Sequence, residues 1–252
     1  MKTVLITGAS SGIGLATAQV FAQHSYNIVI TGRRQERLQM IAQDLEESFG
    51  IQVKTLCFDV QNQIEVIEAL QKLQDEWQTI DVLINNAGLA LGLETIDEAN
   101  TDDWEVMIDT NIKGLLYMSH HVSRRMIAQN TQGHIINVGS VAGKEVYRAG
   151  NVYSATKHAV EALTKSMRID LLDANIKVSL VSPGMVESEF SLVRFKGDDQ
   201  RARNVYKGLE ALTPEDVADA IYYIASRPAH VVVADVFLLP KNQASASIIK
   251  RD

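Results

Sequence analysis

Short β-branched runs alternate with longer amphipathic ones along the whole chain, and this alternation constrains the fold more than any other feature. "TVLIT" (3–7) precedes "IGLATAQVFAQH" (13–24), whose apolar residues recur at helical spacing. Strand-like runs return at 27–32, 52–58, 80–85, 133–139, 176–182 and 231–239. Helical patterns fill 35–49, the sixties and seventies, 102–129, 151–173 and 213–226. The last of these opens on Thr213 as N-cap with Pro214 in its first turn, so the helix start is well specified. The strand runs are apolar without alternation. A strand with one wet face alternates, so these are covered on both faces, as happens in a parallel sheet with helical crossovers. The expectation is an α/β protein with seven strands in a doubly wound parallel sheet. No repeat or linker divides the 252 residues, which form a single domain (1–252). The one compositional break, "SLVRFKGDDQRARNVYKG" (191–208), lies between a strand and a helix and marks a lid or substrate loop spanning about 185–212.

Charge and cysteine usage narrow the partners. With 24 basic against 31 acidic residues the net charge is −7, which argues against nucleic acid or an anionic membrane as partner. Cys57 is alone, so no disulfide within the chain is available and a reducing compartment fits best. "MKTVLITG" turns polar too soon for a signal peptide, and no apolar run reaches the ~18 residues that span a bilayer. A soluble cytoplasmic protein is expected. No metal is expected either, because no His, Asp or Glu cluster has ligand spacing; His120 and His121 are adjacent and point around a helix.

The chemistry starts at "TGASSGIG" (7–14), between the first strand and the first helix. Gly8, Gly12 and Gly14 let the backbone turn tightly and approach a pyrophosphate, and the helix start offers free N–H groups to the anion. After the second strand a site for the unphosphorylated dinucleotide usually carries Asp or Glu. Here stand Arg33 and Arg34, which suit a 2′-phosphate, so NADP(H) is expected over NAD(H).

"TGASSGIG", "NNAG" (85–88), Asn111 in "TNIKG", Ser140 in "NVGSVAG", "YSATK" (153–157) and "SPG" (182–184) together resemble the short-chain dehydrogenase/reductase family, in order and across essentially the entire chain. The resemblance implies a Rossmann-type sheet with strands in order 3-2-1-4-5-6-7. Within the family, "TGRRQERL", "HIINVGS", "VRFKGDD" and "ALTPEDVADAI" look like the NADP-dependent 3-hydroxy acid dehydrogenases, which act on serine, allo-threonine or 3-hydroxypropionate-type substrates. The chain departs from that subgroup at "GSVAGKEVYRAGN" and "PGMVESEFS", both beside the substrate.

Carried onto this sequence, the resemblance makes Asn111, Ser140, Tyr153 and Lys157 the catalytic set. Tyr153 and Lys157 lie four apart and so share one helix face, where an ammonium is expected to lower a phenol pKa that is ordinarily about 10. Tyr153 then moves the proton while hydride passes between substrate carbon and nicotinamide; Ser140 orients the substrate oxygen, and Asn111 holds a water that links Lys157 to solvent. Cofactor contacts carried over by position are Gly8, Ser10, Ser11, Gly12, Ile13 and Gly14 at the phosphate turn and Arg33 and Arg34 after strand two. Asp59 and Val60 match residues at the adenine, Asn86, Ala87 and Gly88 pass the adenine ribose, and Pro183, Gly184 and Val186 meet the nicotinamide end beside Tyr153 and Lys157. Tyr147 is expected to line the substrate pocket, since Asn151 rather than Lys follows it by one turn. Lys144, Arg148, Arg194 and Lys196 are candidate cations for a substrate carboxylate, with Arg194 preferred. Two alternatives stay open: reduction of another carbonyl, such as a diketone or 3-oxoacyl compound, and a non-catalytic NADP sensor. Small and apolar residues on the helix at 151–173 (Ala155, Ala159, Ala162 and Leu163 among them), with family habit, point to a homotetramer.

Overall fold

The computed structural model describes residues 1–252. Seven parallel strands, β1 (Thr3–Ile6), β2 (Asn27–Gly32), β3 (Val53–Cys57), β4 (Val82–Asn85), β5 (His134–Val138), β6 (Lys177–Pro183) and β7 (Asp235–Leu238), form one sheet in the order β3-β2-β1-β4-β5-β6-β7. This is the expected topology. Successive side chains of a strand point to opposite faces, and β1 shows the result: Val4 and Ile6 enter one core, Leu5 the other. The first core lies under α1 (Gly12–Gln23), α2 (Gln35–Phe49) and the later helix Pro214–Ala225, and holds Phe21, Leu38 and Ile221. The second lies under α3 (Gln63–Gln71) and the helix Leu115–Ala128, with Leu70, Met118 and Val122. Both faces of the central strands are therefore dry, which explains their unbroken apolar sequence.

Two expectations need correction. The pattern at 102–129 is not one helix: α4 (Thr101–Ile108) and α5 (Leu115–Ala128) flank a widened π turn, Asp109–Gly114. Such turns carry one residue more than the α-helical ladder and often mark functional positions. Gly114 is needed there, because a Cβ would meet Val60 Cγ2 at 2.8 Å. The last strand is also shorter than 231–239: β7 begins at Asp235, paired with Leu180, while Val231 closes a turn onto Pro228. β7 is an edge strand whose residues are partly exposed.

The remaining helices are α6 (Asn151–Asp170), the short α7 (Phe190–Arg194) and α8 (Asp199–Asn204) within the polar connection, and α9 (Pro214–Ala225). Thr213 and Asp216 form a reciprocal capping box at the start of α9. No helix is long and apolar enough to cross a membrane.

Candidate active site

The connections leaving β1 and β4, neighbours in the sheet, diverge to opposite faces and open a crevice at the strands' C-terminal ends. On one bank the turn from β1 to α1 is held down by the chain after β4. Asn86 donates its side-chain amide to the carbonyls of Thr7 (2.8 Å) and Gly8 (3.1 Å), and Thr7 Oγ1 accepts from the N–H groups of Asn86 and Ala87. Gly8 (φ +65°) would bring a Cβ to 3.0 Å from Ala87 Cα, and a Cβ on Gly14 would overlap the Gly8 carbonyl and the Asn86 amide. Gly8 and Gly14 thus serve a backbone-to-backbone seal, and the Asn86 side chain is spent on it. Gly12 (φ +52°) faces open space apart from Ser188, while Ser11, the N-cap of α1, makes no side-chain cap bond. The first N–H groups of α1 are consequently available to an anion, so the turn fits a dinucleotide pyrophosphate.

Ser10, Ser11, Ile13, Arg33, Arg34, Asp59, Val60, Ala87 and Gly88 line the same crevice. The two arginines differ. Arg33 is largely exposed and lies 3.5 Å from Asp59. Arg34 donates to Ser10 Oγ (2.9 Å) and Ser11 Oγ (3.0 Å) and pairs with Glu189 (3.1 Å). Asp59 also caps its own turn by accepting from Gln61 N–H at 3.0 Å.

At the other end of the crevice stand Ser140, Tyr153 and Lys157, with Pro183, Gly184 and Val186 beside them. Ser140 follows β5 and caps a single turn, its Oγ accepting from Ala142 N–H at 3.0 Å. α6 approaches that turn closely because Gly143 has no side chain; a Cβ there would meet the Lys157 carbonyl at 2.6 Å. Lys157 is buried and donates to the Val138 carbonyl at 3.0 Å. Burial without a carboxylate partner pulls its ammonium down to about 8. Tyr153 is pushed up to about 12, by burial first; Ser140 and Arg194 pull against that, Tyr147 and Tyr206 with it. The expected depression of the phenol by Lys157 is not found: burial raises the phenol, and the amine is turned to Val138.

Asn111 lies in the π turn behind Gly88 rather than in the crevice wall. Its Oδ1 accepts from Leu89 N–H (2.9 Å), and its Nδ2 donates to the Leu89 carbonyl (2.8 Å) and Thr156 Oγ1 (3.0 Å). A Cβ on Gly88 would lie 3.2 Å from Asn111 Oδ1 and 3.5 Å from Lys157 Nζ, so the amide and the amine flank one glycine.

Of the four candidate cations, two are committed elsewhere. Lys144 pairs with Glu161 and Asp235, and Lys196 with Asp103. Arg148 makes no ion pair. Arg194 sits beside the reacting residues: Nε donates to the Gly92 carbonyl (2.9 Å), Nη2 donates to Tyr147 Oη (3.0 Å), and Cζ lies 5.6 Å and 5.7 Å from the Tyr147 and Tyr153 ring centres. Sequence reading missed Glu189, Phe190 and Tyr206. Phe190 packs on Tyr153 with ring centres 5.8 Å apart, and Tyr206 Oη bonds Ser191 Oγ and the Val186 carbonyl. Nothing in a polar, charged stretch distinguishes these three from solvated neighbours.

A parallel sheet whose strand order reverses beside a glycine-rich turn, with Ser, Tyr and Lys gathered at the far end of the crevice, defines a dinucleotide-binding oxidoreductase of the Rossmann class. The short chain dehydrogenase family model matches residues 2–198. An NADP-dependent 3-hydroxy acid dehydrogenase of Salmonella typhi is 45% identical over 246 residues, covering 97% of each chain. One from Schizosaccharomyces pombe is 43% identical over 251 residues, covering 99% of this chain and 96% of that one. A solved structure of serine dehydrogenase in closed form with NADP+ superposes with a TM-score of 0.92 at 43% identity, covering 99% of both chains. The chain belongs to the short-chain dehydrogenase family.

Proposed function

We propose that this protein is an NADP-dependent dehydrogenase that interconverts a small 3-hydroxy acid, of the serine, allo-threonine or 3-hydroxypropionate type, with its carbonyl form. The observation that carries the reading is the gathering of Ser140, Tyr153 and Lys157 in the crevice opened by the glycine-rich turn, with Arg194 over the Tyr153 ring. The names of the similar proteins support the same substrate class and cofactor.

The N–H groups at the start of α1, with Arg33 and Ser10, would hold NADP(H), which would supply the hydride chemistry. Everything else falls to the chain's own residues. Tyr153, which burial keeps protonated, donates its proton to the substrate oxygen in reduction; in oxidation its phenolate, formed once that proton has left through Lys157, accepts the proton of the alcohol. Ser140 Oγ orients that oxygen. Lys157, drawn toward neutrality by burial, exchanges a proton readily and passes it toward the Asn111 side of Gly88. Arg194 receives the substrate carboxylate, already aimed by Gly92 and Tyr147. That cation favours an acid over a neutral diketone.

The same reading includes assembly and place. Ala155 and Ala162, two turns apart on α6, are exposed small residues that suit close packing against another copy in a homotetramer. The single exposed Cys57 suits the reducing cytoplasm.

Tyr153→Phe is the direct test. We expect turnover, followed as NADPH absorbance across acidic and neutral substrates, to fall by about 10²–10⁴-fold. NADPH affinity by fluorescence titration stays near wild type. Full turnover in that variant overturns the mechanism.

A further inference from the structure

The connection between β6 and α9 touches both ends of the crevice, and one carboxylate makes the link. Glu189 immediately precedes α7. One of its oxygens lies 3.1 Å from Arg34 and the other 2.7 Å from Arg37, one turn further along α2. Arg34 in turn holds Ser10 and Ser11 of the phosphate turn. The next residue, Phe190, packs on Tyr153, and the last residue of α7 is Arg194, bonded to Tyr147. Five consecutive residues of helix thus run from the arginine cluster to the reacting phenol, fastened at the near end by Glu189.

We propose that Glu189 is a positioning residue: its two ion pairs strap α7 across the crevice and set Phe190 and Arg194 against Tyr153. The inference rests on the reading that α7 faces the substrate. Burial works against ionising Glu189, but the bonds from Arg37 and Arg34 hold its carboxyl below the usual range, so it is charged wherever the enzyme works. With the side chain 39% exposed, the pairs add little to global stability. They bear on a smaller equilibrium, the local opening of a short surface segment, which needs far less free energy than unfolding. Removing the charge should loosen α7 and leave the melting temperature unchanged.

Two variants and two readouts test this. Glu189→Gln removes the charge, and Glu189→Asp retains it on a shorter stem. The first readout is trypsin cleavage within 190–208, mapped by mass spectrometry in the presence of NADP+, which needs no turnover. Glu189→Gln should be cut about tenfold faster than wild type, with Glu189→Asp restored toward wild type. The second is steady-state kinetics on a 3-hydroxy acid: KM should rise about fivefold or more in Glu189→Gln with kcat within about twofold. Equal cleavage in wild type and Glu189→Gln overturns the strap. So does a Glu189→Asp variant as labile as Glu189→Gln, and faster cleavage without a rise in KM overturns the positioning role. The cleavage result stands whichever substrate the enzyme takes, and an unaltered Glu189→Gln leaves the Tyr153→Phe test untouched, so the two readings fail separately.

Discussion

On the bank of the crevice formed by β1, β2 and β4, recognition is built from main chain: free N–H groups at the start of α1, and glycines at 8 and 14 pressed against Asn86 and Ala87. The opposite bank is built from side chains on separate segments, with Arg194 meeting Tyr147 and Glu189 reaching to Arg34 and Arg37. Main chain of this kind suits what every dinucleotide shares, its phosphates, and at Gly8 and Gly14 leaves no room for an added carbon. Side chains bind what differs between substrates, and they can be exchanged at a graded cost. The two banks should therefore respond differently to substitution.

Gly14→Ala tests the first bank most severely. Its methyl would overlap the Gly8 carbonyl and the Asn86 amide, and overpacking of that kind costs about 1–3 kcal/mol. We expect NADPH affinity to fall by about 10–100-fold together with a lower melting temperature; wild-type affinity would mean that the seal between the two loops is dispensable. Arg194→Ala should act on the other bank alone. Loss of a charged hydrogen bond, worth about 1.5–3 kcal/mol, should cut kcat/KM for a 3-hydroxy acid by about 10–100-fold while a neutral alcohol changes little. Equal losses for both substrates would remove Arg194 from carboxylate binding.

His134 separates the sheet from both banks. It begins β5, fully covered, with Nε2 2.8 Å from Ser179 Oγ, and burial followed by the Lys177 charge brings it down to about 3. The unfolded chain binds the proton at its ordinary value near 6.5, so stability from this group is present above that pH and is lost as pH falls toward 3. At pH 5 the loss is about 2 kcal/mol. Urea midpoints at pH 7 and 5 should show it in wild type, and His134→Gln should flatten the difference.

The sequence foretold the main-chain bank well, because glycines, strand ends and helix starts leave local marks. Seven apolar runs were enough for seven parallel strands, and the family resemblance, not the runs, implied their order. Tyr153, Lys157 and Ser140 line one crevice, as the family resemblance implied, yet the ionisation of Tyr153 did not follow from a neighbour four positions away. Burial acts on it first, then the Ser140 bond and Tyr147, with Arg194 and Tyr206 reaching it from the distant polar connection, where Phe190 also packs on its ring. Lys144 looked like Arg194 in sequence and is tied instead to Glu161 and Asp235, partners that only the folded sheet brings near. The π turn was invisible for the same kind of reason: the apolar periodicity of 102–129 runs through it unbroken.

That widened turn absorbs one residue and leaves α4 and α5 in the phase of one helix. Each residue of an α-helix advances the chain by about 100° around its axis. Deleting one residue between Asp109 and Gly114 would restore a regular ladder and leave Met118 and Val122 on the sheet, whereas a second inserted residue would have to turn α5 through about that angle. The second core would thus survive the deletion, and the turn that carries Asn111 behind Gly88 would not.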